Sequence, residues 1–161
     1  MASLYLLRHG KSDWGRPLSD HDRPLRPRGV RAAQQVGELL TARDEVPELI
    51  LSSSAVRARR TAELAIEAGG WDVRMHSDRG LYLCSVEDLL SVVAGAAPGY
   101  ERVLVAGHEP TTSGVIEVLC GARCVVPTGA LARIDLASWT ELENGGELRW
   151  LLPPRVLAAL R

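Results

Sequence analysis

At 161 residues, with 19 Lys and Arg against 20 Asp and Glu and a formal net charge of −1, the chain lacks the global basicity of a nucleic-acid binder. Any anion site must therefore be a local cluster. Its 46% apolar and 24% charged residues describe an ordinary globular protein, long enough for a single domain over 1–161 with one sizeable core. No run approaches membrane-spanning length, so no membrane partner is expected.

In chain order, the first predicted strand is the apolar run Leu4-Tyr5-Leu6-Leu7. It is too short for a signal peptide's apolar region and runs straight into Arg8-His9-Gly10-Lys11-Ser12. Trp14 to Pro27 is polar, rich in Asp, Arg and Pro, and reads as a loop; length and position make it a functional candidate. A helix is expected from Pro27 or Arg28 to about Ala42, with Val30, Ala33, Val36, Gly37 and Leu40 on one face. Glu48 to Ser52, around Leu49-Ile50-Leu51, reads as the second strand. Ser53 or Ser54 then caps a helix that ends at Gly69-Gly70.

Val73 to His76 is a weak third strand. Ser85 opens the next helix with Asp88 three residues on, a variant of the capping box, and Gly95 is its expected stop. Arg102 to Ala106 is a clear strand that leads into Gly107-His108. Pro110, with Thr111 or Thr112, starts a helix reaching Cys120 and ending at Gly121. Strands near Ala130 to Leu136 and Glu147 to Leu152 flank a turn at Asn144-Gly145-Gly146, and Pro153-Pro154 reads as another turn.

This alternation predicts an α/β fold: a three-layer α/β/α sandwich with a mainly parallel central sheet and its last strands antiparallel. Cys84, Cys120 and Cys124 are an odd number without scaffold density and read as reduced thiols of a cytoplasmic protein. Cys120 and Cys124 lack the second close pair of a zinc set, so no metal is expected.

Parallel strands put their C-terminal ends on one edge, where open α/β sheets bind ligands. Three such ends carry polar groups: Arg8-His9-Gly10, Ser52-Ser53-Ser54 with Arg57, and Gly107-His108. Arg57 falls in the first turn of its helix, where free N–H groups and the positive dipole end favour phosphate. Arg8 adds a rigid charged fork, and Gly10 would let backbone approach the ligand. Two arginines and two histidines around one oxyanion are the expected constellation.

That ordered set resembles the histidine phosphatase (phosphoglycerate mutase-like) superfamily. The short length, with Asp22-Arg23-Pro24-Leu25, Ser54-Ala55-Val56-Arg57-Ala58, Gly107-His108-Glu109-Pro110 and Pro127-Thr128-Gly129-Ala130, is similar to SixA-type phosphohistidine phosphatases. The resemblance implies that His9 is a nucleophile forming a covalent phosphohistidine. It implies that Arg8, Arg57 and His108 hold the phosphoryl oxygens. Gly10, Lys11, Ser12 and Glu109 are assigned to phosphate or substrate binding, with neither cofactor nor metal. Arg8, Arg57 and Lys11 are expected to keep His9 neutral by like-charge repulsion.

Two departures bear on substrate. Where mutase-like members carry an Asn after the Ser and Trp of the first motif, this chain has Gly15. Where they carry a glutamate general acid, it has Gly80-Leu81-Tyr82-Leu83-Cys84. An alkoxide leaving group needs a proton in the transition state, whereas a protonated imidazole is already a good leaving group. The gap therefore fits phosphohistidine in a protein, with small phosphorylated molecules as the alternative substrate and a non-catalytic phosphate-binding module as the alternative class. Glu109, Asp78 and Asp13 are the remaining candidate donors. Elsewhere, His21 and His76 read as surface groups, Trp14 as packing beneath its loop, Asp22 and Arg23 as an ion pair, and Arg59 as a partner of Glu63.

Overall fold

Residues 1–160 are described by a computed structural model. The strands are β1 (Ala2–Arg8), β2 (Leu49–Ser53), β3 (Arg74–Asp78), β4 (Arg102–Gly107), β5 (Leu131–Leu136) and β6 (Gly146–Leu152). The helices are α1 (Pro27–Ala42), α2 (Val56–Gly69), α3 (Val86–Ala96), α4 (Thr111–Cys120) and α5 (Pro154–Ala159). One sheet in the order β3-β2-β4-β1-β5-β6 joins all six strands. Pairings β1/β4, β2/β4 and β2/β3 are parallel, and β1/β5 and β5/β6 are antiparallel.

Both faces of the sheet are covered, so its central strands are apolar throughout instead of alternating. Strand alternation still sorts the side chains by layer. Leu4 and Leu6 of β1 pack with Leu89 and Val93 of α3 and with Val115 and Ile116 of α4. Tyr5 and Leu7 point the other way, to Val36 and Leu40 of α1, Ala62 and Ala65 of α2, and Leu157 of α5. The result is the expected three-layer sandwich, with β1 and β4 at its centre.

Several local expectations need correction. Helix α2 is not capped by a serine: its N-cap is Ala55, and Ser53 accepts the Ala55 N–H at 3.2 Å while Ser54 turns to His21. The third strand starts and ends later than read, because its solvent-facing edge residues carry little apolar signal. Pro153-Pro154 is no simple turn, since Pro154 occupies the first position of α5, where a missing N–H costs nothing. The α3 capping box is present, with Ser85 and Asp88 exchanging bonds, although α3 runs one residue past Gly95. Gly70 and Gly121 close α2 and α4 in the left-handed conformation.

Candidate active site

Sheet register builds the first half of the site. Arg8 lies opposite Gly107, and the next residue, His9, donates its N–H to the Gly107 carbonyl at 3.0 Å. This sets the His9 and His108 rings 5.3 Å apart, centroid to centroid. His9 Nδ1 lies 2.7 Å from the Gly10 carbonyl oxygen. A carbonyl can only accept, so Nδ1 carries the proton and Nε2 keeps its lone pair. Burial pulls the His9 pKa down to about 4, helped by Arg57, Arg8 and Arg23 and opposed by the Gly10 bond.

His108 is neutral for related reasons. Its Nδ1 faces Arg57 Nη2 at 3.4 Å, and a guanidinium can only donate, so Nε2–H donates to Ser53 Oγ at 2.8 Å. Burial, then Arg57 and His9, lower its pKa to about 3. Arg8 donates from Nη1 to the Val126 carbonyl at 2.8 Å. The Nε–H groups of Arg8 and of Arg57 are buried and meet no acceptor among the described residues. Two under-satisfied guanidiniums beside an unprotonated imidazole nitrogen make a pocket that favours an oxyanion.

The loop after β1 supplies a second half that sequence reading missed. Asp20 accepts from Arg57 Nη2 at 3.1 Å and Tyr82 Oη at 2.5 Å on Oδ2, and from Arg23 Nη2 at 3.1 Å on Oδ1. Its main-chain carbonyl also accepts from Arg57 Nη1 at 2.6 Å. The Tyr82 hydroxyl first, with Arg23 and Arg57, holds the Asp20 pKa down to about 2. Asp20 is thus a carboxylate near neutrality and no proton donor. The same bond raises the Tyr82 pKa, so that hydroxyl keeps its proton. The Tyr82 ring stands edge-on to His108 at 5.6 Å and to His21 at 4.9 Å.

Arg23 is the internal cation of this loop, and its acidic partner is Asp20 three residues earlier, not Asp22. Asp22 bonds Ser19 and His21 instead. His21 is half-buried, with Nε2 reaching Ser54 Oγ at 2.9 Å. Trp14 does not pack beneath the loop: it is 73% exposed, with the Arg23 guanidinium 3.4 Å from its ring centroid. The Asp20-x-x-Arg23 spacing was the one available signal for this cage, and nothing local linked either residue to Arg57.

The secondary candidates sit differently from the sequence reading. Gly10 donates its N–H to Thr61 Oγ1 at 3.0 Å, and a Cβ there would lie 2.7 Å from the Gly29 carbonyl oxygen. Its bareness therefore serves the docking of α1 onto the strand end, and its N–H is already bonded. Ser12 is buried and accepts from Arg23 Nη1 at 2.6 Å. Lys11 is exposed and absent from the charges acting on His9, where Arg23 takes its place. Glu109 accepts from the Ser113 N–H at 2.6 Å at the start of α4. Asp78 and Asp13 are tied to Gly80 and Gly15 N–H groups. Arg59 pairs with Glu63 as read.

A neutral, tautomer-fixed histidine among buried arginines, on the C-terminal edge of an open α/β sheet, defines an enzyme that handles phosphoryl groups. Comparison with known proteins makes this specific. The model of the histidine phosphatase superfamily (branch 1) matches residues 4–82. The structure named "putative phosphohistidine phosphatase SixA" from Nakamurella multipartitia is 30% identical with a TM-score of 0.82, over 95% of this chain and 96% of that one. Its namesake from Agrobacterium tumefaciens is 29% identical with a TM-score of 0.83, over 95% and 98%. A "Probable phosphoglycerate mutase GpmB" of Salmonella paratyphi C is 39% identical over 150 residues, covering 90% of this chain and 66% of that protein. The chain belongs to the histidine phosphatase superfamily and is a histidine-type phosphatase. Among the described residues no helix is long and apolar enough to cross a membrane.

Proposed function

We propose that this phosphatase acts through a covalent intermediate on His9 and that its preferred substrate is phosphohistidine in a protein. The observation that carries the reading is the Nδ1–H bond from His9 to the Gly10 carbonyl, which presents Nε2 as an unprotonated nucleophile. Nε2 attacks phosphorus, the substrate's P–N bond breaks, and the substrate imidazole, protonated on its far nitrogen, leaves neutral. Water then attacks the phosphorus on His9, the Nε2–P bond breaks, and the water's proton departs on the product phosphate.

Arg8, Arg57 and His108 are the groups that meet the phosphoryl oxygens. Arg8 and Arg57 do so with charge already in place, which needs no reorganisation during transfer. His108 Nδ1 is unprotonated without ligand, first because the ring is buried and then because Arg57 stands beside it, and an incoming dianion offsets that Arg57 charge. Proton uptake from solvent at Nδ1 would make it a donor to the phosphoryl group. The lack of a carboxylic acid favours the phosphoramidate: Asp20 is ionised and bound, and Glu109, Asp78 and Asp13 are held by backbone N–H groups. Three free thiols suit a reducing compartment, and we assign the protein to the cytoplasm.

The test is rapid quench with a phosphohistidine protein and with an aryl phosphate. Acid-labile, alkali-stable label on His9, lost in His9→Ala, is expected, with higher kcat/KM on the phosphohistidine protein. Faster turnover of esters would favour the second reading, a small-molecule phosphomonoesterase, which the likeness to the mutase-named relative supports. Phosphate binding without turnover of any substrate would leave only a binding module.

A further inference from the structure

A groove of about 690 Å³ lies between the first turns of α1, the segment 125–128 and α5, with Lys11 of the first motif on its rim. Its rim carries Lys11, Arg28, Arg31 and Arg155, and no carboxylate lines it. None of these four cations has an ion-pair partner among the described residues. In a chain of net charge −1, four unpaired cations on one groove are a concentrated positive field. Apolar Val125 and Pro154 also line it, and Val125 is 85% exposed. Exposed apolar surface framed by like charges marks a surface that meets a partner.

The groove is mechanically continuous with the catalytic strand end. Val126 accepts the Arg8 Nη1 bond at 2.8 Å, and Gly129 donates its N–H to the His9 carbonyl at 2.9 Å. Lys11 of the rim follows Gly10 directly in the chain. A molecule lying in the groove therefore rests against the segment that holds the phosphate clamp.

We infer that the groove docks an acidic, partly apolar segment of the phosphorylated protein whose phosphohistidine enters the site, an inference that rests on the protein-phosphohistidine reading above. The spread of the cations favours a peptide over one compact anion. Arg28 and Arg31 are spaced i,i+3 along α1 while Arg155 stands on α5, so the cations flank an apolar floor instead of converging on one point. Nucleic acid is disfavoured because no aromatic side chain lines the groove to stack a base.

The test uses a labelled peptide of interspersed Glu and Leu, its Glu→Gln counterpart, and the phosphohistidine form of each. By fluorescence anisotropy the wild-type enzyme should bind the unphosphorylated Glu peptide at least about tenfold more tightly than the Gln peptide. Salt should erode the difference, because the charges lie at an exposed rim. The phosphohistidine Glu peptide should show a similar advantage in kcat/KM, residing in KM. In the Arg28→Glu, Arg31→Glu, Arg155→Glu variant both advantages should vanish while aryl phosphate turnover is unchanged, which also controls for folding. Equal handling of the two peptides, preference surviving charge reversal, or an oligonucleotide of equal charge binding as tightly would overturn the proposal. Failure to turn over either phosphopeptide while the aryl ester is hydrolysed would sink the phosphohistidine reading, and the anisotropy arm would still decide the groove.

Discussion

The two halves of the site are held by different means. His9, His108 and Arg8 stand at strand ends, where sheet register and main-chain bonds to Gly107, Ala130 and Gly129 fix them. Asp20, Arg23 and His21 belong to the long loop between β1 and α1 and reach the site mainly through side-chain bonds, with the Asp20 carbonyl the one main-chain group that meets Arg57. Arg57 belongs to both halves, anchored in the first turn of α2 and clasped by Asp20. The contrast implies a division of labour. In the proposed mechanism the strand ends supply chemistry that tolerates no displacement, and the loop aims one cation within it.

Breaking the strand-end half should have the largest effect. His9→Ala removes the nitrogen to which we assign the attack, and phosphatase turnover should fall by at least about 10⁴-fold, as for nucleophiles elsewhere. Steady-state rates together with loss of the phosphoenzyme label check this. Arg57→Ala should cost on the order of 10² to 10³ in kcat/KM, the usual worth of one preorganised charge donor. Arg57→Lys should recover little of it, because an ammonium cannot hold Asp20 and a phosphoryl oxygen with a rigid fork.

The same half predicts a pH response. His9 and His108 have folded-state pKa values of about 4 and about 3, against an ordinary 6.5. Between those values the unfolded chain binds protons that the folded chain does not, so stability rises with pH there. Stability should be level above about pH 7 and decline as pH falls through 6 and 5 towards the folded values. Urea midpoints at pH 7, 5 and 4 measure the decline, and His108→Gln should lessen it. A flat profile would mean that the imidazoles are not held neutral by burial.

How far the sequence foretold each half follows from the same contrast. The strand-end residues were legible because an apolar run that stops abruptly fixes where its next side chains fall, and parallel pairing brings distant ends together. Arg57 was legible from its place just inside a helix start. The cage was not, since Asp20 meets Arg57 across 37 positions and meets Tyr82 across 62, through a loop with no periodicity to read. Gly10 reads as a ligand contact because a bare glycine lets backbone approach, and Ser12 because it matches the first motif. What they contact, Gly29, Thr61 and Arg23, depends on how α1 and the loop pack.

The loop-borne half can be separated by Asp20→Asn. The substitution keeps an acceptor for Tyr82 but removes the negative charge facing Arg57 and Arg23. Net local charge becomes more positive, so product phosphate should inhibit about three- to tenfold more tightly, within the range of one partly screened charge pair. Arg57, less firmly aimed, should lower kcat over the same range. Inhibition by inorganic phosphate and kcat measured separately would detect these opposed changes. If phosphate binding weakened along with kcat, Asp20 would be purely structural.

The smallest effect is expected at the outer edge of the loop. Trp14 covers the Arg23 guanidinium with its ring centroid at 3.4 Å, yet it is itself 73% exposed. A cation–π contact in that setting contributes roughly 0.5 to 1 kcal/mol. Arg23 keeps its bonds to Asp20 and Ser12 without it. Trp14→Ala should therefore leave global stability and kcat nearly unchanged and instead raise amide exchange at Asp13, whose N–H bonds the Pro24 carbonyl across the loop. Faster exchange confined to that loop would locate the division between the two halves at Arg23. Exchange spreading to His9, whose N–H is held by β4, would mean that the strand ends depend on the loop after all.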